Sequence, residues 1–227
     1  MAFELTWIGH ATFGLETSGY KLLVDPYLRN NPVASVDADS VKADYILVTH
    51  GHGDHIGDTV AIAKRTGATA VSNAEISRWL SAQGVATHGM HIGGGHQFSF
   101  GYAKLTHALH GSSLPDGSYG GNPGGFLLKL RDGKNFYFAG DTGLFGDMRL
   151  IGDEGLTAAF IPIGDNYTMG PDDALKAVEF LRPKLVVPMH YDTFAVIEQD
   201  VGAWKARVEA ETGVAVRVMA SGDTLEF

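Results

Sequence analysis

Within six residues the sequence places three histidines and an aspartate, His50-Gly51-His52-Gly53-Asp54-His55, directly after the apolar run Ile46-Leu47-Val48. Imidazole nitrogens and carboxylate oxygens at this density are metal-ligand chemistry. His50 and His52 stand two apart, so in an extended loop both can turn to one ion while Asp54 and His55 face a second. Hydrolytic two-metal sites hold their ions about 3.5–4 Å apart. Gly51 and Gly53 are expected to free this tight loop of obstructing side chains. Two histidines alone would more often be a solvated turn, but three histidines and an aspartate in one short loop reverse that reading.

Other candidates lie further along the chain. His110 and His190 follow apolar runs and border Gly or loop residues, where imidazoles can converge on the same point. His107 competes with His110, but His110 is preferred because it opens the loop and an alternating strand would turn the two to opposite sides. Asp141, in Gly140-Asp141-Thr142-Gly143, is by itself ordinary turn chemistry. His10, in a Gly-His-Ala turn, is a candidate proton donor or substrate ligand, with a buried capping histidine as the alternative. The polar loop Asp165-Asn166-Tyr167-Thr168 precedes Pro171, and its backbone N–H groups are expected to receive an anionic substrate, with local hydrogen bonding before the helix as the alternative. His91 and His96 lie within a Gly-rich stretch, Met90 to Phe98, with His88 just before it; the stretch lines an entrance or is plain surface loop, and the three histidines read as structural.

Strands and helices must position these groups. Short strand-like runs cover Phe3 to Gly9, Phe13 to Thr17 and Tyr20 to Val24, with Ser18-Gly19 as a hairpin turn. Tyr45 to Val48 reads as a buried strand entering the His-rich loop, and Asp58 to Thr66 as the helix after it. Strand and helix repeat at Thr69 to Ser72 and Glu75 to Gln83, and strands return at Lys104 to Ala108, Phe126 to Leu130 and Asn135 to Ala139. A buried strand at Ala158 to Ile163, a helix from Pro171 to Leu181, a strand from Lys184 to Met189 and a helix from Val201 to Glu211 follow. Ala215 to Val218 and Leu225 to Phe227 close the pattern. Two sheets packed face to face with helices outside, a four-layer αββα sandwich of α/β (α+β) class forming one domain over 1–227, accommodate this order.

Composition narrows the chemistry. The chain of 227 residues has no cysteine, which excludes disulfides, thiolate metal ligands and a cysteine nucleophile, so any metal must sit on His and carboxylates. A net charge of −9 with no basic run argues against nucleic acid and for a small-molecule substrate. Mean hydropathy is close to zero, no apolar run is long enough for a bilayer, and the first residues lack a secretory signal, so a cytoplasmic protein with no membrane partner is expected.

The motif series resembles the metallo-β-lactamase superfamily, whose His-x-His-x-Asp-His signature follows a buried strand as it does after Ile46-Leu47-Val48-Thr49. Leu109-His110-Gly111-Ser112-Ser113 looks like its third histidine motif, Phe138-Ala139-Gly140-Asp141-Thr142 like its bridging aspartate, and Val187-Pro188-Met189-His190-Tyr191 like its last histidine. Trp7-Ile8-Gly9-His10-Ala11, Asp25-Pro26 and Pro162 to Pro171 extend the likeness to a group of metal-dependent hydrolases of uncharacterised-protein-family type, related to ascorbate-6-phosphate lactonase-like and phosphodiesterase-like branches. The resemblance implies the metallo-β-lactamase fold and two divalent cations, Zn²⁺ first, with Mn²⁺, Fe²⁺ or Ni²⁺ as alternatives. It implies that His50, His52 and His110 hold one cation, Asp54, His55 and His190 the other, and that Asp141 bridges them. A metal-bridging hydroxide would then cleave a small ester, a phosphodiester first and a lactone or carboxylic ester second, with Asp54 and His10 assisting and Asp165, Asn166 and Thr168 at the substrate. A non-catalytic metal-binding module and a flavin-partnered redox protein are the other classes on this scaffold, and a homo-oligomer is compatible with the resemblance. The short step from Asp141 to His190 leaves no space for the inserted domain of the family's nucleases.

Overall fold

Two seven-stranded sheets pack face to face with helices on their outer surfaces, in a computed structural model that describes residues 3–227. The chain opens with the meander β1 (Glu4–Gly9), β2 (Thr12–Thr17) and β3 (Tyr20–Val24), then runs through β4 (Tyr45–Leu47), α1 (Gly53–Ile56), α2 (Thr59–Thr66), β5 (Thr69–Asn73), α3 (Ala74–Ala82) and β6 (Thr87–Met90). The second sheet is built from β7 (Gly95–Phe98), β8 (Gly101–His107), β9 (Gly124–Leu130), β10 (Asn135–Phe138), β11 (Ala158–Pro162), β12 (Leu185–Met189) and β13 (Ala215–Val216). Helices α4 (Met148–Gly152), α5 (Pro171–Leu181) and α6 (Val201–Thr212) accompany it, and β14 (Thr224–Glu226) returns to pair with β1.

Each sheet mixes an antiparallel meander with parallel strands. The first has the order β14-β1-β2-β3-β4-β5-β6, parallel from β3 onward; the second has β13-β12-β11-β10-β9-β8-β7, parallel from β10 to β13. Alternation on β1 and β2 sends Leu5, Trp7, Phe13 and Leu15 to the inter-sheet layer, where the Phe13 ring lies 5.6 Å from Phe138 and 5.0 Å from Phe160 across the gap. The opposite face, with Ile46, Val48 and Ala70, packs against Ile62 of α2 and Ile76 and Leu80 of α3 in a separate cluster. Strands buried on both faces need near-continuous apolar sequence, as Leu185–Met189 and Ala158–Pro162 supply.

Four elements depart from the sequence-based reading. The Gly-rich stretch from Met90 to Phe98, read as loop, instead closes β6, which carries His88, and contains β7, which carries His96, the outer strands of the two sheets. Backbone pairing to a single neighbour holds them despite poor strand propensity. The five-residue α4 was not foreseen, and the His-rich loop contributes its own short helix, α1, before the expected one starts at Thr59. Among the described residues no helix is long and apolar enough to cross a membrane.

Candidate metal centre

The ends of five strands deliver the candidate ligands to one place. His10 follows β1, His50 follows β4, His110 follows β8, Asp141 follows β10 and His190 follows β12, because parallel strands of facing sheets end on the same side. Their ligand atoms fall into overlapping groups: His50, His52 and His110; His10, Asp54, His55 and His190; and His50, His55 and Asp141.

In the first group His50 Nε2 lies 3.0 Å and His110 Nε2 3.2 Å from His52 Nδ1. Three nitrogens crowded on one point, with no proton arrangement that lets them all bond one another, are the signature of a shared cation. In the second group the Nε2 atoms of His55 and His190 lie 4.0 and 3.8 Å from Asp54 Oδ2. Asp141 stands between the groups, with Oδ2 at 3.5 Å from His110 Nε2 and 3.0 Å from His190 Nε2, and Oδ1 at 3.2 Å from His55 Nε2.

The candidate ligand histidines His50 and His55 are oriented from behind. Asp25, buried at the end of β3, accepts hydrogen bonds from Thr49 N (2.8 Å) on Oδ1, and from Thr49 Oγ1 (2.7 Å) and His55 Nδ1 (2.8 Å) on Oδ2. The Thr49 hydroxyl proton is thereby committed, so at 3.0 Å its oxygen accepts from His50 Nδ1. One carboxylate thus fixes both rings as Nδ1–H tautomers and frees Nε2 of His50 in one group and of His55 in the other. Sequence reasoning assigned Asp25 no such role. The available signal was an isolated acid closing the apolar strand Leu22-Leu23-Val24, beside a parallel β4 whose Leu47 is in register with Val24.

Metal ions fit this arrangement on three observations. Asp25 and Asp141 are both buried, and within the described residues neither they nor Asp54 has a Lys or Arg in salt-bridge range. Buried carboxylates without a cation are costly. His55 Nε2, His190 Nε2 and Asp141 Oδ1 are buried without hydrogen-bond partners. Protonation follows the same demand: burial holds His50, His52 and His110 below the ordinary imidazole value, keeping them neutral as ligands must be. Burial also opposes charge on His55, yet Asp141 and Asp25 raise its pKa well above the ordinary imidazole value, a preference for positive charge between the two carboxylates. For Asp141 burial is outweighed by His190 and His55, which hold it well below the carboxylate range.

His10 is fully buried, so it cannot contact a substrate. Its Nε2 lies 3.2 Å from Asp54 Oδ2 and its Nδ1 2.9 Å from Thr193 Oγ1. Burial pushes its pKa down to about 4, which leaves a neutral ring with one proton; Nε2–H donating to Asp54 while Thr193 donates to Nδ1 satisfies both contacts. Asp54 keeps 32% of its side chain exposed and His110 13%, so the centre opens to solvent on that side.

Backbone strain concentrates here. His10 (φ 57°), Asp25 (φ 45°) and His190 (φ 55°) are in the left-handed region that non-glycine residues avoid. Gly51 behaves as expected, since a Cβ would meet Ser113 O at 3.0 Å, whereas Gly53 has open space around its Cβ position and its smallness is not needed for fit.

The remaining candidates lie outside the ligand groups. His107 is exposed and packs on Phe145 at 5.4 Å, while His88 stacks on His96 at 4.3 Å between the outer strands. Asp165, Asn166 and Thr168 hang beside the centre through Met169 N, which donates to Thr142 O. Their N–H donors are used within the loop: Asp165 N bonds Met169 O, Asn166 N bonds Asp165 Oδ1, and Tyr167 N and Thr168 N both bond Asp165 O. The expected anion-receiving backbone is therefore closed, and the local hydrogen-bonding alternative describes it.

Comparison with known proteins agrees with this geometry. Residues 19–191 match the model of the β-lactamase superfamily domain. A UPF0173 metal-dependent hydrolase of Pelotomaculum thermopropionicum is 50% identical, covering 99% of this chain and 100% of that protein. Igni18, a metallo hydrolase from the archaeon Ignicoccus hospitalis, superposes with a TM-score of 0.91 at 38% identity, covering 100% of this chain and 99% of its own. The metallo-β-lactamase fold protein YhfI of Bacillus subtilis, at 13% identity and TM-score 0.77, shares the fold.

Proposed function

The chain belongs to the metallo-β-lactamase superfamily and, within it, to the UPF0173 metal-dependent hydrolases, and on that premise we propose that it cleaves a small-molecule ester bond at a binuclear centre. His50, His52 and His110 would hold one divalent cation and Asp54, His55 and His190 the second, with Asp141 within reach of both groups. The observation that carries the count of two is the reach of Asp141, whose carboxylate approaches a nitrogen of the first group and two of the second. Imidazole and carboxylate donors suit Zn²⁺ first, with Mn²⁺, Fe²⁺ and Ni²⁺ as alternatives.

Divalent cations at such a site supply Lewis acidity and an ionised water near neutral pH. The protein's own groups do the positioning. Asp54 Oδ2, the open carboxylate of the centre, is placed to orient an incoming water and accept its proton, and the Nε2–H of His10 holds that oxygen in place. His10 is therefore a positioning residue. Asp25 acts one step further back through His55 and Thr49. No side-chain nucleophile is required, consistent with the absence of cysteine.

The centre's chemistry serves phosphodiesters and lactones alike, with the phosphodiester first by family resemblance; nucleic acid is not proposed as substrate. The test is turnover of bis-p-nitrophenyl phosphate, p-nitrophenyl acetate and a γ-lactone before chelation, after it, and after Zn²⁺ or Mn²⁺ is restored. Chelator-sensitive, metal-restored turnover of at least one is expected. Metal-replete protein that hydrolyses none would favour the non-catalytic module.

A further inference from the structure

Seven large apolar side chains are exposed among the described residues, and six of them, Val33, Leu109, Tyr119, Tyr167, Phe194 and Val196, stand on the loops that leave the ligand-bearing ends of the strands. Only Leu150, on α4, lies elsewhere. Three are tied directly to the centre. Leu109, 49% exposed, precedes His110, and its N–H donates to Thr142 Oγ1 beside Asp141. Tyr167, 56% exposed, sits on the loop whose Met169 N–H donates to the carbonyl of the same Thr142. Phe194, 38% exposed, packs edge-on against the His10 ring with centroids 5.6 Å apart, and His10 Nε2 lies 3.2 Å from Asp54 Oδ2.

Charge on the same loops runs the other way. Of the 17 Lys and Arg residues, these loops carry Arg29 and Lys42. Arg29 is paired with Asp39 and Asp58, and Lys42 lies beside Gly19, Asp44 and Arg65, where β3 begins, away from the centre. Asp165, Asp192, Glu198 and Asp200 stand among the loops around the centre. The N–H donors of Asp165 to Thr168 are already used, so neither side chains nor that backbone offers a second anion seat beyond the cations.

Resting on the hydrolase reading and narrowing it, we propose that Leu109, Tyr167 and Phe194 form the subsite for the substrate's group beyond the scissile bond, and that this group is apolar and uncharged, an aryl or branched alkyl substituent. Apolar side chains kept exposed around a reactive centre gain by being covered with a complementary surface. A carboxylate or phosphate placed there would lose its hydration, face like charge and find no cation. The reacting group itself can still be anionic, since it meets the metal cations.

The test separates tail recognition from turnover. Zinc-loaded protein is titrated calorimetrically with phenylacetohydroxamic acid and succinic monohydroxamic acid, which share a metal-ligating head and differ in an apolar or an anionic tail. The phenyl compound should bind about tenfold or more tightly than the succinyl one. A Leu109→Ser/Phe194→Ala double variant should bring the two to within about threefold, and Tyr167→Lys should shift preference toward the succinyl tail. Equal or tighter binding of the succinyl compound by the wild type, or a preference unchanged in the double variant, overturns the inference. Chelator-sensitive opening of γ-butyrolactone, which carries no substituent to fill the proposed subsite, reports on the hydrolase reading independently, so a missing lactone activity and a missing tail preference are different failures.

Discussion

Replacing Asp25 by Asn keeps the shape of a buried side chain and removes its ability to serve three donors at once. The carboxylate accepts from Thr49 N at 2.8 Å on one oxygen, and from Thr49 Oγ1 at 2.7 Å and His55 Nδ1 at 2.8 Å on the other. An amide has one oxygen. If that oxygen faces Thr49 Oγ1 and His55, the NH₂ confronts the Thr49 N–H, donor against donor. If it faces Thr49 N, the NH₂ points at His55 Nδ1, and His55 must move its proton to Nε2, the atom needed for the second cation. Losing one charge-assisted bond inside the protein costs about 1.5–3 kcal/mol, and disturbing a partner of a ligand histidine lowers metal affinity about 10–100-fold, or about 1.4–2.7 kcal/mol. Urea unfolding of the metal-free variant reads the first effect and competition with a chromophoric chelator the second. Unchanged unfolding midpoint and unchanged affinity for both cations would refute the assignment of Asp25 as the residue that sets the tautomers of His50 and His55.

Asp141→Asn, which removes the charge between the two groups, should reduce bound metal from two toward one per chain and turnover by about two orders of magnitude, read by elemental analysis and ester hydrolysis of one sample. His10→Ala should lower kcat about 10–100-fold with little change in KM, while His10→Gln, whose amide can still donate to Asp54, should recover part of the loss; equal damage in both variants would mean that His10 merely fills space. His107→Ala should leave metal content and turnover within about twofold of wild type, because His107 is exposed, packs on Phe145 and lies outside the candidate ligand groups. Phe13→Ala, which empties the inter-sheet contact with Phe138 and Phe160, should cost about 3–5 kcal/mol of stability in urea unfolding, with metal stoichiometry retained where the protein folds.

Much of this architecture is legible along the chain because strong local patterns and tertiary demand agree. The run from Tyr45 into the His-rich loop, the Pro171 start of α5 and the apolar runs of β11 and β12 carry their own signals. Strand ends shift by a residue or two, as β4 stopping at Leu47 illustrates. What stays hidden depends on partners distant in sequence. Asp25 becomes meaningful only once β3 and β4 are known to lie parallel with Val24 opposite Leu47, which brings its carboxylate to Thr49 and His55. β6 and β7, rich in Gly and His, are strands because a neighbour pairs with them. The loop from Asp165 to Thr168 shows the same limit in reverse: its composition suggests open donors, and its left-handed Asp165 (φ 61°) and Asn166 (φ 48°) fold those donors back on the loop. For His10 the sequence left a proton donor or substrate ligand and a buried histidine side by side, because the choice between them is made by Tyr27, His190 and Phe194 packing around its ring.

The account stands on two cations sharing Asp141, and the metal-to-protein ratio tests that most directly. Protein purified with a metal supplement and freed of loosely bound ions, then measured by elemental analysis or native mass spectrometry, should carry close to two divalent cations per chain, falling to about one in His110→Ala. A ratio that saturates at one in the metal-replete wild type, or a His110→Ala variant that still carries two, would contradict the binuclear centre.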